Sequence, residues 1–591
     1  MASILNQAPE SLFGLHETRG ESKVVSLKKA IADNIKPKAR IHIGGFPNAA
    51  IAEIIRQFWD SKPELTLITG QLIGYAIDMI YTGLVRKLIA ASCYEHGLTE
   101  RPSNVVQEAY KGGKIEIENW SLLSITQRLL AGAMGICFMP TKSIMRSSMA
   151  EEHKNTFREI DDPFGEGNRI GLVKALNPDI SIIHGLAADS SGNTILAPNL
   201  FSAGIDQWGA LASKRGAIVT VEKVVSTQFI QEHSSLVKVP GYLVNAVSEV
   251  PFGAHPEGLA NFGIKEINAY GTDYDFTKTH REASENLTLG AWIQEWILGC
   301  PSRRAYLHKL GYDKIMLLQG KMSRDSWKYD TALASEDTSK NEDFNPAKIM
   351  VAAAIRVAKD KIYKHGYKII LAGPGFAALT AWLTYCQLRN EGYDIELLQG
   401  TSLFGYTPYP GNPSIVNPAL LESGKMITDI LYTYGVFVGG EDNRCLSILG
   451  AGQIDRYGNI NTTKTADGGY LVGSGGGNDA INAKEVLVVT PQSKRRFVDK
   501  VTYITCPGDR VRTLISTMGV FEKLADEKEF TLTAYYPSTR SSEREETIKA
   551  VREKCGWDLK VSSGAQEVPL PSNQELRLLN LFDPKGLYIG D

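Results

Sequence analysis

Two glycine-rich turns are the segments of this sequence best suited to hold an anion. The first is GGF at residues 44–46, and the second runs from Gly468 to Gly477, with the sequence GSGGGND at residues 473–479. Glycine lets the backbone approach a ligand closely, and successive N–H groups can cradle an anion or a developing oxyanion. A lone pair of glycines is more often a tight connection with positive φ, so this interpretation needs support from elsewhere in the chain.

Other sequence motifs for catalysis are missing. Neither glycine turn matches the phosphate-binding pattern GxxxxGK[ST] or the dinucleotide pattern GxGxxG. The sequence lacks HExxH and the GxSxG of serine hydrolases, and its ten histidines have no metal-ligand spacing. We therefore predict neither a nucleotide phosphate site nor a bound metal.

Composition and charge set the broad class of protein. The 591 residues suffice for two to four domains, and 43% hydrophobic with 22% charged residues is typical of globular proteins. With 64 basic and 66 acidic side chains the net charge is −2, which predicts no binding to nucleic acid or to an anionic membrane. Seven cysteines without a CxxC pair, and no apolar signal core or bilayer-length segment, predict a soluble cytoplasmic protein.

Short β-branched runs alternate with amphipathic runs in the first half, which predicts an α/β fold with mainly parallel sheets. The predicted strands are residues 39–44, 65–69, 180–184 and 217–221, and the predicted helices are 49–59 and 124–133. A polar stretch at 325–346 is the best linker in the chain. We predict an N-terminal extension at 1–22, a first domain at 23–324 and a second domain at 347–591.

The order of elements repeats after the linker. IHIGGF at 41–46 corresponds to IILAGPGF at 369–376, and LTLITG at 65–70 corresponds to IELLQG at 395–400. DSSGN at 189–193 matches DRYGN in the second half, and both predict a structural turn in which Asp caps the following amides. Three matches in the same order predict a duplicated α/β unit.

Six longer motifs, three in each half, carry a family resemblance. The first half contains IGGF (43–46), AGAMGICFMP (131–140) and PFGAHP (251–256). The second half contains LGAGQIDRYGNIN (449–461), GSGGGND (473–479) and SKRRFV (493–498). Together they resemble the two subunits of the glutaconate-type, family I coenzyme A transferases, fused in one chain with the linker at their junction. The resemblance spans residues 23–591.

The resemblance implies two pseudo-symmetric open α/β domains with an active site in the cleft between them. It implies an acyl-CoA substrate, that is, coenzyme A as a thioester, without a metal, and self-association into a homodimer. Backbone amides of both glycine turns would hold the thioester carbonyl, and such donors contribute about 3 kcal/mol each to lowering the barrier. The residues expected to bind the substrate are Gly44, Gly45, Phe46, Gly475, Gly476, Gly477 and Asn478.

The sequence departs from this family at the position of the glutamate nucleophile. The family carries ExG at the end of the strand that here reads IELLQG, and its glutamate attacks the thioester. Aligned on the LFGY that follows, the nucleophile position falls on Gly400, and a slip of one residue puts Gln399 there. Neither residue is a nucleophile, so the family's transferase mechanism is not expected. We expect the glycine to leave open space beside the thioester for a bulky acyl group or an attacking water.

The catalytic base is left open by the sequence. The candidates are Gln399, Thr401, Ser402, Glu118, Glu249 and His255. Each has a structural alternative: a hydrogen-bonded core histidine, a capping or surface carboxylate, or a polar side chain that caps a turn.

Three functions fit these observations. Hydrolytic or lyase chemistry at or near the thioester is favoured, because relatives of this fold without the glutamate hydrolyse a carbon–carbon bond in a β-keto acyl-CoA or decarboxylate a glutaconyl-type acyl-CoA. A genuine CoA-transferase would need a nucleophile from another position, such as Glu118. An inactive acyl-CoA binding protein is disfavoured by the presence of both glycine turns.

Overall fold

Two large sheets, one in each half of the chain, organise the fold. The computed structural model describes residues 21–165, 167–323, 325–328, 345–412, 414–537 and 544–590. The first half forms a nine-stranded sheet and the second a ten-stranded sheet, and two three-stranded sheets accompany them. Most of the predicted N-terminal extension and of the predicted linker (residues 1–20 and 329–344) lies outside the described residues.

The first half has twelve named strands among its described residues. They are β1 (Arg40–Gly44), β2 (Leu65–Leu72), β3 (Val85–Cys93), β4 (Glu116–Asn119), β5 (Phe138–Thr141), β6 (Phe157–Asp161), β7 (Arg169–Lys174), β8 (Ile180–Ala188), β9 (Thr194–Ile195), β10 (Ala217–Val224), β11 (Val237–Val239) and β12 (Val244–Glu249). The order in the large sheet is β11-β9-β8-β1-β2-β3-β4, with β10 and β12 joined through β8. The neighbours from β10 across β8, β1, β2 and β3 to β4 all pair in parallel.

The helices of the first half lie before β1, between its strands and, at its end, after β12. They are Leu27–Asn34, Asn48–Phe58, Tyr75–Tyr81, Asn104–Lys111, Leu122–Ala133, Ser148–Glu152, Ile205–Leu211, Thr227–Glu232, Tyr274–Glu285, Leu289–Ile293, Arg303–Leu310 and Tyr312–Gly320. Every residue of β8 is buried, as expected of a central strand covered on both faces.

The second half repeats this plan. Its described strands are β13 (Ile369–Ala372), β14 (Glu396–Gln399), β15 (Leu403–Phe404), β16 (Met426–Ile427), β17 (Cys445–Leu449), β18 (Gln453–Asp455), β19 (Ile460–Asn461), β20 (Glu485–Val489), β21 (Phe497–Val498), β22 (Val511–Ile515), β23 (Gly519–Glu522), β24 (Thr531–Tyr535) and β25 (Lys560–Glu567). Its helices include Pro346–His365, Phe376–Asn390, Gly477–Ala480, Arg544–Glu553, Asn573–Phe582 and a π-helix at Leu431–Val438. The large sheet has the order β16-β15-β14-β13-β17-β20-β22-β23-β24-β25.

The predicted α/β class, strands and helices are confirmed. Strands predicted at 65–69 and 180–184 run on to Leu72 and Ala188, because the sheet continues to pair beyond the most apolar residues. The helix predicted at 124–133 begins at Leu122, where the Ser121 side chain caps the backbone N–H of Ser124.

The predicted duplication is also confirmed. β1 lies between β2 and β8 and β13 lies between β14 and β17, all in parallel. In the two matching turns, Asp189 and Asp455 each accept the amide of the Asn four residues on, at 2.9 and 3.0 Å, and bind its side chain as well. Both acidic groups are therefore structural, as predicted.

One segment of the second half, residues 472–479, is hydrogen-bonded into the first half. The Cys93 amide donates to Val472 O at 2.9 Å, and the Gly475 amide donates to Ala91 O at 2.9 Å. The Gly475 carbonyl in turn accepts from the Leu122 amide at 3.0 Å. The ends of β3 and of the helix Leu122–Ala133 are thus fixed against the second glycine turn.

Asp479 completes this junction. Its carboxylate accepts the Leu123 amide at 2.9 Å and the Ser143 hydroxyl at 2.6 Å. Asn478 beside it accepts the Ile144 amide at 2.7 Å and donates to Thr505 O at 2.8 Å. Burial raises the pKa of Asp479 to about 6.

The raised pKa of Asp479 predicts a pH-dependent cost of replacing it. A group whose pKa is raised by folding contributes stability at low pH, and this contribution falls as pH rises through about 6. Asn does not titrate, so Asp479→Asn should destabilise the protein more at pH 4.5 than at pH 7.5, by up to about 3 kcal/mol. Urea unfolding at both pH values measures this, with exposed Asp60→Asn as the control that should show no such difference. An Asp479→Asn effect independent of pH would contradict the prediction.

Candidate active site

A cavity of about 230 Å³ lies in the cleft between the two halves. The first half contributes Gln71, Ser92, Tyr94, Glu100, Leu122 and Leu200 to its lining. The second half contributes mainly the residues that follow β13, β14 and β17 and the second glycine turn, 473–477. The carboxyl ends of parallel strands thus meet here from both sheets, which is where open α/β sheets bind their ligands.

Gly400 lines this cavity directly after β14, but the space beside it is filled. A Cβ at Gly400 would lie 2.0 Å from the Tyr434 hydroxyl oxygen, and a Cβ at Gly476 would lie 1.9 Å from the same atom. The phenol therefore fits between two glycines and lies where a side chain at position 400 would begin. The prediction of open space beside Gly400 is wrong.

The π-helix Leu431–Val438 presents Tyr434 to the cavity. Asp429 accepts the Leu431 amide at 2.9 Å at the start of this helix, and the Thr433 hydroxyl donates to Gly400 O. π-Helices are rare in proteins, and those that occur are often found at functional sites. Burial, with smaller effects of Asp479 and Cys445, raises the pKa of Tyr434. The phenol therefore stays protonated at neutral pH and is a hydrogen-bond donor.

The other polar residues after β14 brace the turn. The Gln399 side chain donates to Leu200 O at 2.9 Å and accepts the Thr401 hydroxyl at 2.8 Å and the Ser402 amide at 3.2 Å. Gln399 and Thr401 line the cavity, whereas Ser402 is buried and is not part of the lining. Gln399 thus links the two halves. Its side-chain oxygen, which would have to be free to act as a base, already accepts hydrogen bonds from Thr401 and Ser402.

Glu118, Glu249 and His255 lie outside the lining of this cavity. Burial opposes ionisation of Glu118, but Arg128 at 3.1 Å and Lys87 at 2.9 Å outweigh it and lower its pKa to about 2. Glu249 accepts the Val224 amide at 2.7 Å. Both carboxylates are thus bonded within the first half, away from the cavity.

His255 belongs to a buried network of the first half. Its ring bonds the Tyr306 hydroxyl at 2.7 Å and Asp273 at 3.3 Å, and burial lowers its pKa. This is the arrangement of a hydrogen-bonded core histidine.

The first glycine turn also lies beside the cavity and not on it. Gly44, Gly45 and Phe46 line two smaller spaces of about 20 Å³. The Gly45 amide bonds the buried carboxyl of Asp206, and its φ of +66° places the backbone where a Cβ would lie 2.4 Å from His184 O. This glycine therefore meets a packing requirement, and its amide already has an acceptor.

The second glycine turn lies on the cavity. Gly475, Gly476 and Gly477 are all part of the lining, whereas the Asn478 side chain is used in the junction described above. The amides of Gly475 and Gly477 donate to Ala91 O and Ser474 O, each at 2.9 Å. No acceptor for the Gly476 amide is found within the described ranges, which leaves this N–H and the Tyr434 hydroxyl as neighbouring donors.

Glu100 is the functional candidate that the sequence did not reveal. It carries the only carboxylate among the described residues of the lining, and it is an exposed residue at the edge of the cleft. It lies in a loop after β3 that is closed by mutual backbone hydrogen bonds of Glu95 and Arg101, at 2.8 and 3.3 Å. Burial raises its pKa, and His96 opposes this shift. The only feature of the sequence that could have indicated Glu100 is its position in the loop after β3, the strand that lies beside β2.

Two unpaired hydroxyls mark the cavity as a site for a polar ligand. Ser92 and Ser474 both line it, and their buried hydroxyl oxygens have no hydrogen-bond partner within the described part of the chain. Buried polar groups are normally paired, so a ligand or water is expected to bond them. The Cys506 thiol also lines the cavity, but burial and Asp479 raise its pKa, so the neutral thiol is no nucleophile at neutral pH.

Comparison with known proteins assigns this arrangement to a family. The family model described as Coenzyme A transferase matches residues 24–250. One subunit of the glutaconate CoA-transferase of Acidaminococcus fermentans is 29% identical over 318 residues, which is 50% of this chain and 95% of that subunit. One subunit of the 3-oxoadipate CoA-transferase of Pseudomonas knackmussii is 30% identical over 214 residues, which is 32% of this chain and 78% of that subunit.

A solved structure has the same fold over nearly the whole chain. An acyl-CoA transferase of Escherichia coli O157:H7, crystallised as a thioester complex with CoA, superposes with a TM-score of 0.61 at 16% identity, covering 96% of this chain and 97% of that one. The chain belongs to the coenzyme A transferase family, with counterparts of both subunits fused. Among the described residues, none of the helices has the length and hydropathy to cross a membrane.

The contact between Gly400 and Tyr434 predicts a coupled effect on stability. Gly400→Ala places a methyl group against the phenol and should lower the free energy of unfolding by about 1–3 kcal/mol. Gly450→Ala is the matched control, because it lines the same cavity and its Cβ would meet nothing within 4 Å. In a Tyr434→Ala background the cost of Gly400→Ala should nearly disappear, as a double-mutant cycle by denaturant unfolding would measure. Additive effects would contradict the contact.

Proposed function

We propose that this protein carries out hydrolytic or lyase chemistry at or near the thioester of an acyl-CoA, in place of transferring CoA to a carboxylic acid. The main support for this proposal comes from the end of β14. There Gly400 supplies no nucleophile, and the Tyr434 phenol lies in the space of the missing side chain. A carboxylate is available from the other half instead, at Glu100.

An acyl-CoA is the substrate class that the family membership supports. The solved relative named above holds a CoA thioester. In this chain the cavity between the halves combines apolar walls with a few polar groups at strand ends, as small-molecule sites do. The unpaired hydroxyls of Ser92 and Ser474 give such a substrate two further partners.

Glu100 acts as the general base in this proposal. Its carboxylate takes a proton from water, the hydroxide adds to a carbonyl carbon of the acyl group, and the carbonyl oxygen becomes an oxyanion. Collapse of this adduct breaks the bond to the leaving group, which recovers the proton from Glu100. A raised pKa suits the role, because a base works best when its pKa is near the working pH.

The Tyr434 hydroxyl and the Gly476 amide hold the oxyanion. Both donors lie together at the second glycine turn, and burial keeps the phenol protonated. Donors fixed before the reaction stabilise developing charge without reorganisation. The tyrosine thus occupies the nucleophile's position and serves as an electrostatic group.

A second candidate function is a transferase that uses Glu100 as its nucleophile. The observation in its favour is that, among the described residues that line the cavity, Glu100 is the one that carries a carboxylate. A nucleophile would form an acyl–glutamyl anhydride and then a covalent CoA thioester, whereas a base forms neither.

Water labelled with oxygen-18 separates these two functions. The protein is incubated with β-keto and glutaconyl acyl-CoAs, with and without acetate or succinate, and products are read by mass spectrometry. Label in a released acid without any acceptor indicates hydrolysis, and loss of carbon dioxide indicates a lyase. Product formation that requires the acceptor, with CoA found on it, would overturn the proposal.

Replacing Glu100 should abolish most of the activity. Glu100→Gln removes the proton acceptor with little change in shape, and we expect kcat to fall by about 10²–10⁴-fold. Because a base must be deprotonated, kcat/KM of the wild type should rise with pH, with a midpoint above the usual pKa of glutamate. The residual activity of Glu100→Gln should lack this rise, and exposed Glu108→Gln should behave as the wild type. An unchanged profile in Glu100→Gln would exclude Glu100 as the base.

Removing the Tyr434 hydroxyl should slow the chemical step and leave folding intact. Tyr434→Phe keeps the ring between Gly400 and Gly476, so the melting temperature should change little. Loss of one oxyanion donor should lower kcat by about 10²-fold. Tyr432→Phe, on an exposed side chain of the same helix, is the control. A wild-type kcat in Tyr434→Phe would show that the hydroxyl holds no developing charge.

The cytoplasm is the proposed location, supported by seven cysteines that are all unpaired. Self-association into a homodimer stays a prediction from the resemblance.

A further inference from the structure

A buried histidine, His96, lies close behind the wall of the active-site cavity. It belongs to the loop after β3 that also carries Glu100. The His96 ring meets the Phe201 ring edge to face, with centroids 5.1 Å apart, and Phe201 directly follows Leu200 of the cavity lining. On another side the ring packs against Tyr274, whose phenol is neutral because burial raises its pKa. His96 is outside the lining and only 4% exposed, so it can act on a substrate only through another residue.

Glu257 fixes the His96 ring. Its carboxylate bonds His96 Nδ1 at 2.9 Å, and both side chains are almost completely buried. Burial lowers the pKa of His96, but the charge of Glu257 and its hydrogen bond, with a smaller effect of Glu100, outweigh burial and raise it. Histidine ordinarily loses its proton near pH 6.5, so a raised pKa favours the imidazolium at neutral pH. His96 is therefore a buried cation with a fixed partner.

The motif PFGAHP at 251–256 places this partner, because Glu257 directly follows it. The Glu257 amide donates to Ala254 O at 3.0 Å. His255 between them is kept neutral by burial, which lowers its pKa, so it does not compete for the Glu257 charge. The motif thus holds the acid that fixes His96.

A second pair of charges lies beyond the first. A space of about 10 Å³ adjoins His96 and Glu257, and Glu95 and His280 line it too. His280 bonds Asp78 at 2.8 Å and lies 3.9 Å from Glu95. Burial lowers the pKa of His280, but these two acids outweigh it and raise it. The acids at 78 and 95 therefore have a cation of their own.

Two phenols and one guanidinium also lie at the loop of Glu100. Burial is the main cause that raises the pKa of Tyr94 and of Tyr588, so both phenols are neutral at pH 7. Arg281 donates to a backbone carbonyl of the loop at 3.3 Å. Desolvation raises the pKa of Glu100, and the charge of His96 opposes this shift.

We propose that His96 is the positioning residue of Glu100: its positive charge, fixed by Glu257, holds the neighbouring carboxylate ionised and ready to accept a proton. This rests on the proposed function, in which Glu100 is the general base. A base must be deprotonated before it can act, and a fixed opposite charge favours that form.

Histidine titration tests the contact in the resting protein. The protein is labelled with ¹⁵N in histidine, and its ring nitrogens are followed by NMR from pH 5 to pH 9, with His96→Asn to identify the resonance. Glu100→Gln should lower the pKa of His96, because a neutral amide no longer favours the cation, and Glu257→Gln should lower it more. Exposed His365 is the internal control. A His96 titration that is the same in Glu100→Gln as in the wild type would overturn the proposal.

The pH dependence of kcat/KM tests the effect on catalysis. Removing a cation raises the pKa of a neighbouring carboxyl, so His96→Asn and Glu257→Gln should each move the midpoint upward, by up to about one pH unit. The plateau at high pH should stay within a few-fold of the wild type, and exposed Glu108→Gln should leave the profile unchanged. A loss of rate that is equal at every pH, with the midpoint unmoved, would show a merely structural role and overturn the proposal.

The two measurements together separate this role from the proposed function. If Glu100→Gln loses the rise of kcat/KM with pH while His96→Asn keeps the wild-type midpoint, Glu100 stands as the base and only the role of His96 is overturned. If the His96 titration responds to Glu100→Gln while that variant keeps the wild-type profile, the charge contact stands. Glu100 is then not the base, and the positioning role is overturned with it.

Discussion

Hydrogen bonds from residues 472–479 to the first half determine the shape of the cleft. The segment is joined to the end of β3 through Cys93 and Ala91 and to the helix Leu122–Ala133 through Asp479. Backbone and carboxylate bonds of this kind fix two domains more closely than apolar contact alone, because they are directional. The cavity, its unpaired hydroxyls and the second glycine turn all lie along this junction. The two walls of the cleft are therefore held in a fixed position relative to each other.

Within this cleft, the proposed replacement of an acidic nucleophile involves more than one residue. Glycine at 400 and at 476 are both required for the Tyr434 phenol to fit, and the π-helix at Leu431–Val438 directs it there. A glutamate at 400 would have no room while the tyrosine is present. Glu100 lines the cavity from the opposite half, so the proposed base and the proposed oxyanion donors come from different halves of the chain.

The sequence predicts those features that depend on local pattern. Alternation of apolar residues predicted β1, β2, β8 and β10, and the Asp and Gly-Asn turns formed as their side-chain chemistry requires. Tyr434 and Glu100 could not be found in this way, because they meet at the cavity only through elements that are far apart in sequence. Glu118 and His255 were candidates by residue type alone. In the structure the Glu118 carboxylate pairs with Arg128 and the His255 ring bonds the Tyr306 hydroxyl, and local sequence pattern does not reveal these contacts.

If water is activated by a base in this cleft, no residue there takes CoA covalently. The direct measurement is the intact mass of the protein, quenched in acid while it consumes an acyl-CoA. We predict that the protein keeps its unmodified mass throughout turnover. An increase by the mass of CoA less one water, located at a glutamate of the cleft, would contradict the account and restore the covalent mechanism of a transferase.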